Sequence, residues 1–258
     1  MSGLQFYKKG ALAGIDLAQA RVESGGAIVD GDNFTQLQVT NGNTLGGYIS
    51  TVDAGGAMIQ EALLPGVALK YSTDGDQDDG SFLARQTAVG IFDITLNSGR
   101  EVAFQSRFKV VEGALVAIFV GLAEAGLDQD IVADVGSNGE IANKDVCGFH
   151  CMMHATDVDI DGIVRIEGGA KTIGATTMTE DADDTFHTYG FRFDGVTTLN
   201  WFIDDELFAT QELAAATFPT GEALTPTFCI KTGAAVIKSL TIWDWVCVEL
   251  LLEADTDD

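Results

Sequence analysis

Hydrophobic and polar residues alternate along most of the chain. In REVAFQSRFKVV (residues 100 to 111) and HTYGFRFDG (187 to 195), apolar side chains recur at nearly every second position, and Gly, Asn and Asp residues separate such runs. A period of two is typical of a β-strand with one buried face, and Gly-rich breaks are typical of tight turns. The pattern predicts an all-β protein, with short helical pieces only near residues 11 to 22, 57 to 63 and 211 to 216.

The predicted strands number about a dozen, and two antiparallel sheets packed as a sandwich are the economical arrangement for them. The strands are FTQLQVT (34–40), GGYISTV (46–52), ALKYST (68–73), AVGIFDITL (88–96), REVAFQSRFKVV (100–111), LVAIFVGLA (115–123), VCGFHCMMH (146–154), IVRIEGG (163–169), HTYGFRFDG (187–195), LNWFIDDELFAT (199–210), TPTFCIKTG (225–233) and VIKSLTIWDWVCVEL (236–250).

Size and charge narrow the classes of function. At 258 residues, 46% of them hydrophobic, the chain is long enough for one large β-domain with a sizeable core. Its 39 Asp and Glu residues against 14 Lys and Arg residues give a net charge of -25, which repels nucleic acids and anionic lipid surfaces. We therefore expect neither a nucleic acid nor a membrane as a partner.

The two ends of the chain differ in charge. Residues 1 to 25 contain Lys8, Lys9 and Arg21 against two acids, whereas the last ten residues, ELLLEADTDD, hold five acids. We expect three parts, namely an N-terminal arm or cap (1–25), a β-sandwich domain (26–250) and an acidic tail (251–258).

The cysteines and the N-terminus indicate where the protein is made. Cys147, Cys151, Cys229 and Cys247 lie in hydrophobic, strand-like segments and lack the spacing of a disulfide scaffold. The stretch MSGLQFYKKGALAGIDLAQ lacks the apolar core and cleavage site of a signal peptide, and no apolar run approaches the length of a membrane span. We expect buried thiols in a protein made in a reducing cytoplasm.

The segment CGFHCMMH has two alternative interpretations. On a helix, Cys147, His150, Cys151 and His154 would share one face and suit a zinc ion. The surrounding alternation favours a strand, on which the two thiols face one side and the two imidazoles face the other. Because ligands on opposite faces cannot complete one tetrahedron, we expect the thiols in the core and the histidines outward or in a groove.

The segment DVDIDG matches the opening of a calcium-binding loop with Asp157, Asp159 and Asp161. The twelfth position of the loop holds Gly168 where a bidentate Glu is needed, and the apolar residues that follow indicate a strand. The acidic run STDGDQDDG (72–80) fails in a similar way. We predict no metal and no other cofactor, and these three aspartates are the best candidates should a metal bind.

No catalytic signature stands out. The E-x-D-x-x-E strand motif, whose alternate carboxylates serve glycoside hydrolysis, does not occur, nor do G-x-S-x-G, H-E-x-x-H or phosphate-binding Gly-rich motifs. Asp204, Asp205 and Glu206 close the stretch HTYGFRFDGVTTLNWFIDDELF and are best interpreted as a solvated turn. We predict no catalytic residues and no enzymatic activity.

The tryptophans are the candidate ligand-binding residues. Aromatic residues on strands are most often core or interface residues, but tryptophans also stack on sugars in lectins. Trp201 and Trp245 are the residues expected to stack on a glycan if the chain is a lectin. In LTIWDWVCVEL, alternation places Trp243 and Trp245 on one face of the strand, together with Thr241 and Cys247.

The chain resembles the concanavalin A-like, or laminin G-like, jelly-roll virion proteins of tailed bacteriophages over about residues 85 to 250. The resemblance is carried by an ordered series of strands. The series is FQSRFKV with AIFVGLAEAG (104–126), DVCGFH (145–150), TFHTYGFRFDG (185–195), LNWFIDDELFAT (199–210), FPTGEALTPTFCIKTGAA (218–235) and LTIWDWV (240–246). In such proteins a Gly usually follows the Asp of the W-F-x-D hairpin, whereas here Asp205 follows Asp204, which puts the turn type in question.

The resemblance implies a concanavalin A-like jelly-roll β-sandwich of two antiparallel sheets. It also implies a homo-oligomer, a trimer or a dimer, that decorates or cements the outer capsid surface of a virion by binding the major capsid protein. We expect this contact in the N-terminal arm, at Phe6, Tyr7, Lys8, Lys9 and Arg21. Because sugar-binding modules share the fold, a carbohydrate-binding module for host glycans is the alternative, and a laminarinase-like glycosidase is a disfavoured third.

Overall fold

The computed structural model describes residues 11–12, 15–16, 26–32, 48–52, 57–63, 66–73, 76–85, 90–111, 115–127, 131–134, 138–152, 159–178 and 185–251. The regular elements of these residues are β-strands, and none of them forms an α-helix. The strands are β1 (Ala11–Leu12), β2 (Ile15–Asp16), β3 (Gly26–Asp32), β4 (Tyr48–Val52), β5 (Ala57–Leu63), β6 (Gly66–Ser72), β7 (Gly80–Arg85), β8 (Phe92–Asp93), β9 (Glu101–Val111), β10 (Val116–Glu124), β11 (Val146–Cys151), β12 (Ile160–Arg165), β13 (Thr172–Met178), β14 (His187–Phe193), β15 (Thr198–Ile203), β16 (Glu206–Glu212), β17 (Ala223–Thr232) and β18 (Ser239–Leu251).

Two large antiparallel sheets build the molecule. Sheet I has the strand order β13-β12-β11-β10-β17-β7-β4, with β8 paired to one end of β17. Sheet II has the order β16-β15-β14-β9-β18-β6-β5, with β3 paired to the part of β18 beyond β6. Strands that are distant in sequence lie side by side in both sheets, so neither sheet forms from local hairpins alone.

Alternation along β9 shows how the main core forms. Phe104 and Phe108 are fully buried between the sheets, whereas Arg107 is exposed and Lys109 is partly exposed on the outer face of sheet II. The Phe108 ring stacks on that of Tyr189 in β14, with ring centroids 4.5 Å apart. Full burial of such a ring stabilises the fold by about 1.5–3 kcal/mol.

β10 differs from β9 because both of its faces are apolar and buried. Ile118 belongs to the core between the sheets, while Phe119 packs in a second apolar cluster with Ile131, Val132 and Ile141. A strand that is apolar on both faces is typical of a sheet covered on both sides. The described parts of residues 131 to 141 therefore cover the outer face of sheet I.

Two buried polar side chains of sheet I hold this covering segment. The Lys231 Nζ donates to the Val132 carbonyl at 3.2 Å and pairs with the Asp134 carboxylate at 2.6 Å. The His150 Nε2 donates to the Gly139 carbonyl at 2.8 Å. Because buried polar groups require partners, these bonds stabilise both the side chains and the segment above them.

The predicted helical pieces are wrong. Residues 57 to 63 form β5, residues 211 to 216 form the end of β16 and a turn, and the described residues between 11 and 22 form β1 and β2. Short apolar runs suit helix and strand alike, and pairing with a distant strand decides between them. Three further strands, β3, β7 and β13, were predicted neither as strands nor as helices, because each follows or contains a Gly- or Asp-rich segment that indicates a turn.

The four cysteines are buried thiols outside any disulfide, as predicted. Burial raises the pKa of the Cys147 thiol well above its ordinary value. In the part of the chain that the structure describes, no helix has the length and apolar character needed to cross a membrane.

Candidate functional site

The centre of sheet II contains a β-bulge in β18. Phe108 of β9 pairs with Ile242, and the adjoining Arg107 pairs with Asp244, so Trp243 is an extra residue outside the ladder. A bulge sets two residues of one strand opposite a single residue of its partner and redirects the side chains that follow. The bulge therefore decides which way the tryptophans of β18 point.

The side chains of β18 change face at the bulge. Ile242 lies in the core before the bulge, and Trp245 and Cys247 lie in the core after it. The prediction that Trp243 and Trp245 share a face is therefore wrong, because strict alternation fails across an extra residue.

Trp243 lies on the outer face of sheet II, where it meets Phe186. Both residues are partly exposed. Their ring centroids are 5.6 Å apart and their planes are 87° apart, an edge-to-face pair that holds both rings in position. The two rings therefore form an ordered aromatic patch on the outer face of sheet II.

Two cations of β9 adjoin this pair. The Arg107 Cζ lies 4.9 Å from the Trp243 ring centroid and 5.6 Å from the Phe186 ring centroid. The Lys109 Nζ lies 5.2 Å from the Phe186 ring centroid. These distances suit cation–π attraction. We call Phe186, Trp243, Arg107 and Lys109 the outer-face cluster. In this cluster flat apolar rings lie beside side chains that carry N–H donors.

Asp244 lies next to Trp243 and is half-buried. Burial raises the pKa of its carboxyl to about 6, although the Arg107 charge and a backbone hydrogen bond from Arg107 lower it. The Ser106 hydroxyl, itself buried, donates to the Asp244 carbonyl at 2.9 Å and stabilises the bulge. The surface therefore holds one carboxyl that exchanges its proton near pH 6.

Trp201 and Trp245 are core residues, with exposed fractions of 0% and 1%. The Trp201 ring fits against sheet I because position 162 is glycine, where a Cβ would lie 2.6 Å from the ring atom Cε3. The Trp245 indole donates to the Tyr48 hydroxyl at 3.0 Å inside the core. The expectation that Trp201 and Trp245 stack on a glycan is therefore wrong, and Trp243 is a tryptophan that the fold leaves accessible.

Asp204 and Asp205 form the two-residue turn between β15 and β16, and Glu206 begins β16. All three are exposed, as predicted for a solvated turn. Both aspartates have positive φ, 49° and 69°, which defines a type I′ turn without glycine. The Asp204 carboxylate accepts from the Thr188 backbone N–H at 2.8 Å and lies 2.7 Å from the His187 Nδ1, contacts that favour this conformation.

The segment CGFHCMMH forms β11 as far as Cys151, so the helical zinc arrangement does not form. Cys147 and Cys151 face the core between the sheets, while His150 points to the opposite face. His150 is buried rather than outward or in a groove, because the segment that contains Gly139 covers it. His154 lies outside the described residues.

The calcium candidates do not form a loop. Asp161 belongs to β12 and pairs with His150 of β11 in the ladder, and Asp159 directly precedes this strand. Asp157 lies outside the described residues. Within the described ranges, no group of three His, Cys, Asp or Glu side chains is arranged to hold a metal ion.

The predicted capsid-contact residues, Phe6, Tyr7, Lys8, Lys9 and Arg21, lie outside the described residues. The nearest described parts of the N-terminal segment are β1 and β2, which pair antiparallel, and Cα atoms of β1 lie within 8 Å of β9. The contact with a major capsid protein, the homo-oligomer and the location on a virion stay predictions.

The outer-face cluster was not predicted as a unit. Alternation in FQSRFKV was a sufficient signal to place Arg107 and Lys109 opposite the buried Phe104 and Phe108. Phe186 precedes β14 and carries no such signal.

No family model matches the chain, and no curated protein matches it. Solved structures match the chain in fold. The carbohydrate recognition domain of Emp47p matches with a TM-score of 0.54 and 12% identity over 84% of this chain and 92% of that chain. A β-glucanase of Bacillus licheniformis matches with a TM-score of 0.53 and 12% identity over 88% of this chain and 98% of that chain. A GH16 protein of the Bacteroides ovatus mixed-linkage glucan locus, in complex with a G4G4G3G product, matches with a TM-score of 0.54 and 11% identity. The match covers 84% of this chain and 98% of that chain.

These likenesses show the fold, a concanavalin A-like jelly-roll β-sandwich of two antiparallel sheets, as predicted. They also correct one prediction. Enzymes that act on glucans have this fold, so the prediction that the chain has no enzymatic activity is contradicted. At 11% and 12% identity these two likenesses show the fold alone and assign no activity to this chain. None of the three structures is a capsid protein, and the prediction of capsid decoration gains no support from them.

Proposed function

We propose that the chain binds a carbohydrate through the outer-face cluster of sheet II. The observation that carries the proposal is the partly exposed Trp243 and Phe186 pair with Arg107 against both rings. Aromatic faces pack well on the apolar C–H faces of sugar rings, and N–H donors bond to sugar hydroxyls. The carbohydrate recognition domain and the glucanases among the structures of the same fold support this function.

The cluster lies on rigid elements. Arg107 belongs to β9 and Trp243 to β18, two neighbouring strands in the interior of sheet II. The Ser106 hydrogen bond stabilises the bulge that directs Trp243 outward. Because the rings are ordered before a ligand arrives, little conformational entropy is lost on binding.

Trp243→Ala tests the proposal. Glycan-array screening of the wild type identifies a ligand, and isothermal titration calorimetry then compares the variants. We expect Trp243→Ala to weaken binding by about tenfold or more, because loss of a stacked ring removes roughly 1.4 kcal/mol or more. The matched control is Phe208→Ala, which removes an exposed aromatic ring from the edge strand β16, outside the cluster.

Two outcomes contradict the proposal: no glycan binds saturably, or Trp243→Ala binds the ligand as well as the wild type does. Circular dichroism and thermal unfolding of each variant establish that the fold is retained.

The same ligand also tests for turnover. Mass spectrometry after incubation detects shortened oligosaccharides if the chain hydrolyses its ligand. Asp244 is the carboxyl on this surface whose pKa of about 6 suits proton transfer, so Asp244→Asn is the variant expected to lose such turnover. Turnover that survives this change would assign hydrolysis to another site.

A further inference from the structure

We infer, on the basis of the proposed carbohydrate-binding function, that the glycan carries an anionic substituent, a carboxylate or a sulfate, which Arg107 binds. The partners of Arg107 and its position against the two rings of the outer-face cluster favour this class of ligand.

Arg107 differs from nearby arginines in its partners. The Arg192 Nη2 lies 2.7 Å from the Glu101 carboxylate, and the Arg100 Nη1 lies 3.3 Å from the Asp93 carboxylate. Across the described residues, no carboxylate lies within 4.0 Å of the Arg107 nitrogens. Its guanidinium packs instead against two ring faces, which orient it while its N–H groups keep their capacity to bind an anion.

Two lysines lie on the same face of sheet II as Arg107. In the strand ladder Lys109 of β9 lies opposite Thr241 of β18, and Thr241 lies opposite Lys70 of β6. Directly opposed residues of antiparallel strands point to the same side of the sheet, so Lys70 lies on the face of Lys109 and Arg107. Arg107, Lys109 and Lys70 therefore place three cationic side chains on this face of sheet II. Asp244 pairs with Arg107 in the ladder and is half-buried.

This combination favours an anionic sugar over a neutral one. A guanidinium binds a carboxylate or a sulfate through two parallel N–H···O bonds, which are stronger than bonds to a neutral hydroxyl. The net charge of -25 repels anions at long range, so the attraction acts at contact, within the Debye length of about 8 Å at physiological salt. The predicted preference therefore depends on Arg107 itself.

Matched glycans test the inference. The array contains neutral oligosaccharides, their uronic acid counterparts, the methyl esters of those acids and sulfated counterparts. We expect the tightest ligands to be acidic, and an acid to bind about tenfold more tightly than its own methyl ester, since charge-assisted bonds exceed neutral ones by that order. The acid and sulfate members show which anion Arg107 prefers.

Arg107→Gln and Arg192→Gln separate this inference from the proposed function. Arg107→Gln should abolish the preference for the acid over its ester, because it weakens binding of the acid about tenfold more than binding of the ester. Arg192→Gln, which alters an arginine already paired with Glu101, should leave the preference intact. Trp243→Ala should weaken acid and ester alike.

The inference is overturned if acid and ester bind the wild type equally, or if Arg107→Gln keeps the preference. In either case binding that depends on Trp243 would leave the proposed function standing. An array without any saturable ligand overturns both.

Discussion

His150 and Asp244 are two titratable residues whose pKa values move in opposite directions. Burial, with a smaller contribution from the charge of Lys171, lowers the pKa of His150 from 6.5 to about 4. Its buried Nδ1 has no hydrogen-bond partner within the described part of the chain, so protonation there would leave an unpaired charged N–H in the interior. Burial raises the pKa of Asp244 from 3.8 to about 6, because the half-buried carboxyl is more stable when neutral.

These two residues predict opposite pH dependences of stability. Between pH 6.5 and about 4 the unfolded chain binds a proton at His150 that the folded chain excludes, so this residue destabilises the fold as the pH falls. Between about pH 6 and 3.8 the folded chain binds a proton at Asp244 that the unfolded chain does not, so this residue stabilises the fold as the pH falls. From about pH 7 to about pH 5 we expect a loss of about 2 kcal/mol from His150 and a gain of about 1 kcal/mol from Asp244.

Urea unfolding of the wild type, His150→Gln and Asp244→Asn at about pH 7 and about pH 5 measures both effects. We expect the loss of stability at the lower pH to be smaller in His150→Gln and larger in Asp244→Asn than in the wild type. Other carboxylates titrate in all three proteins and cancel in the comparison. The same change in unfolding free energy for all three proteins would contradict the pKa shifts of His150 and Asp244.

At the scale of the element, the bulge in β18 links the order of the sheet to the exposure of Trp243. Ile242 and Asp244 flank Trp243, and they pair with the adjoining Phe108 and Arg107 of β9. Removal of Trp243 therefore leaves a regular ladder in which every other side chain of the strand keeps its face.

Deletion of Trp243 should consequently give a protein that unfolds cooperatively, with a loss of stability of no more than about 2 kcal/mol, and that no longer binds the glycan. Deletion of Val246 in the same strand is the matched control. It shifts the residues after it by one position, turns Cys247 out of the core and should prevent stable folding. Thermal unfolding and calorimetric titration measure the two outcomes, and equal damage from both deletions would argue against a bulge at Trp243.

At the scale of the whole molecule, the net charge of -25 dominates. Self-repulsion among like charges destabilises a compact state, and salt screens it. We therefore expect the melting temperature to rise by several degrees between ~20 mM and ~500 mM sodium chloride. Differential scanning calorimetry measures the shift. Choline chloride at the same ionic strength is the control for specific sodium binding, and a melting temperature that does not rise with either salt would contradict the prediction.

The sequence predicted only part of the candidate site. Alternation in FQSRFKV contains the signal that separates Arg107 and Lys109 from the buried Phe104 and Phe108, although no site was predicted from it. Alternation failed for Trp243, because a bulge depends on how β18 pairs with a strand more than a hundred residues earlier. It also failed for His150, because the segment that contains Gly139 covers this side chain, and alternation along β11 contains no information about that contact.

The pattern of polar and apolar residues was enough to predict the all-β sandwich, the buried thiols and the solvated acidic turn at Asp204 and Asp205, because each depends on the polarity of a residue and of its close neighbours. The tertiary structure alone decided that Trp201 and Trp245 are inside and Trp243 is outside. Strand register, the bulge and the room left by Gly162 arise from contacts between residues far apart in the chain, and a local pattern contains no information about them.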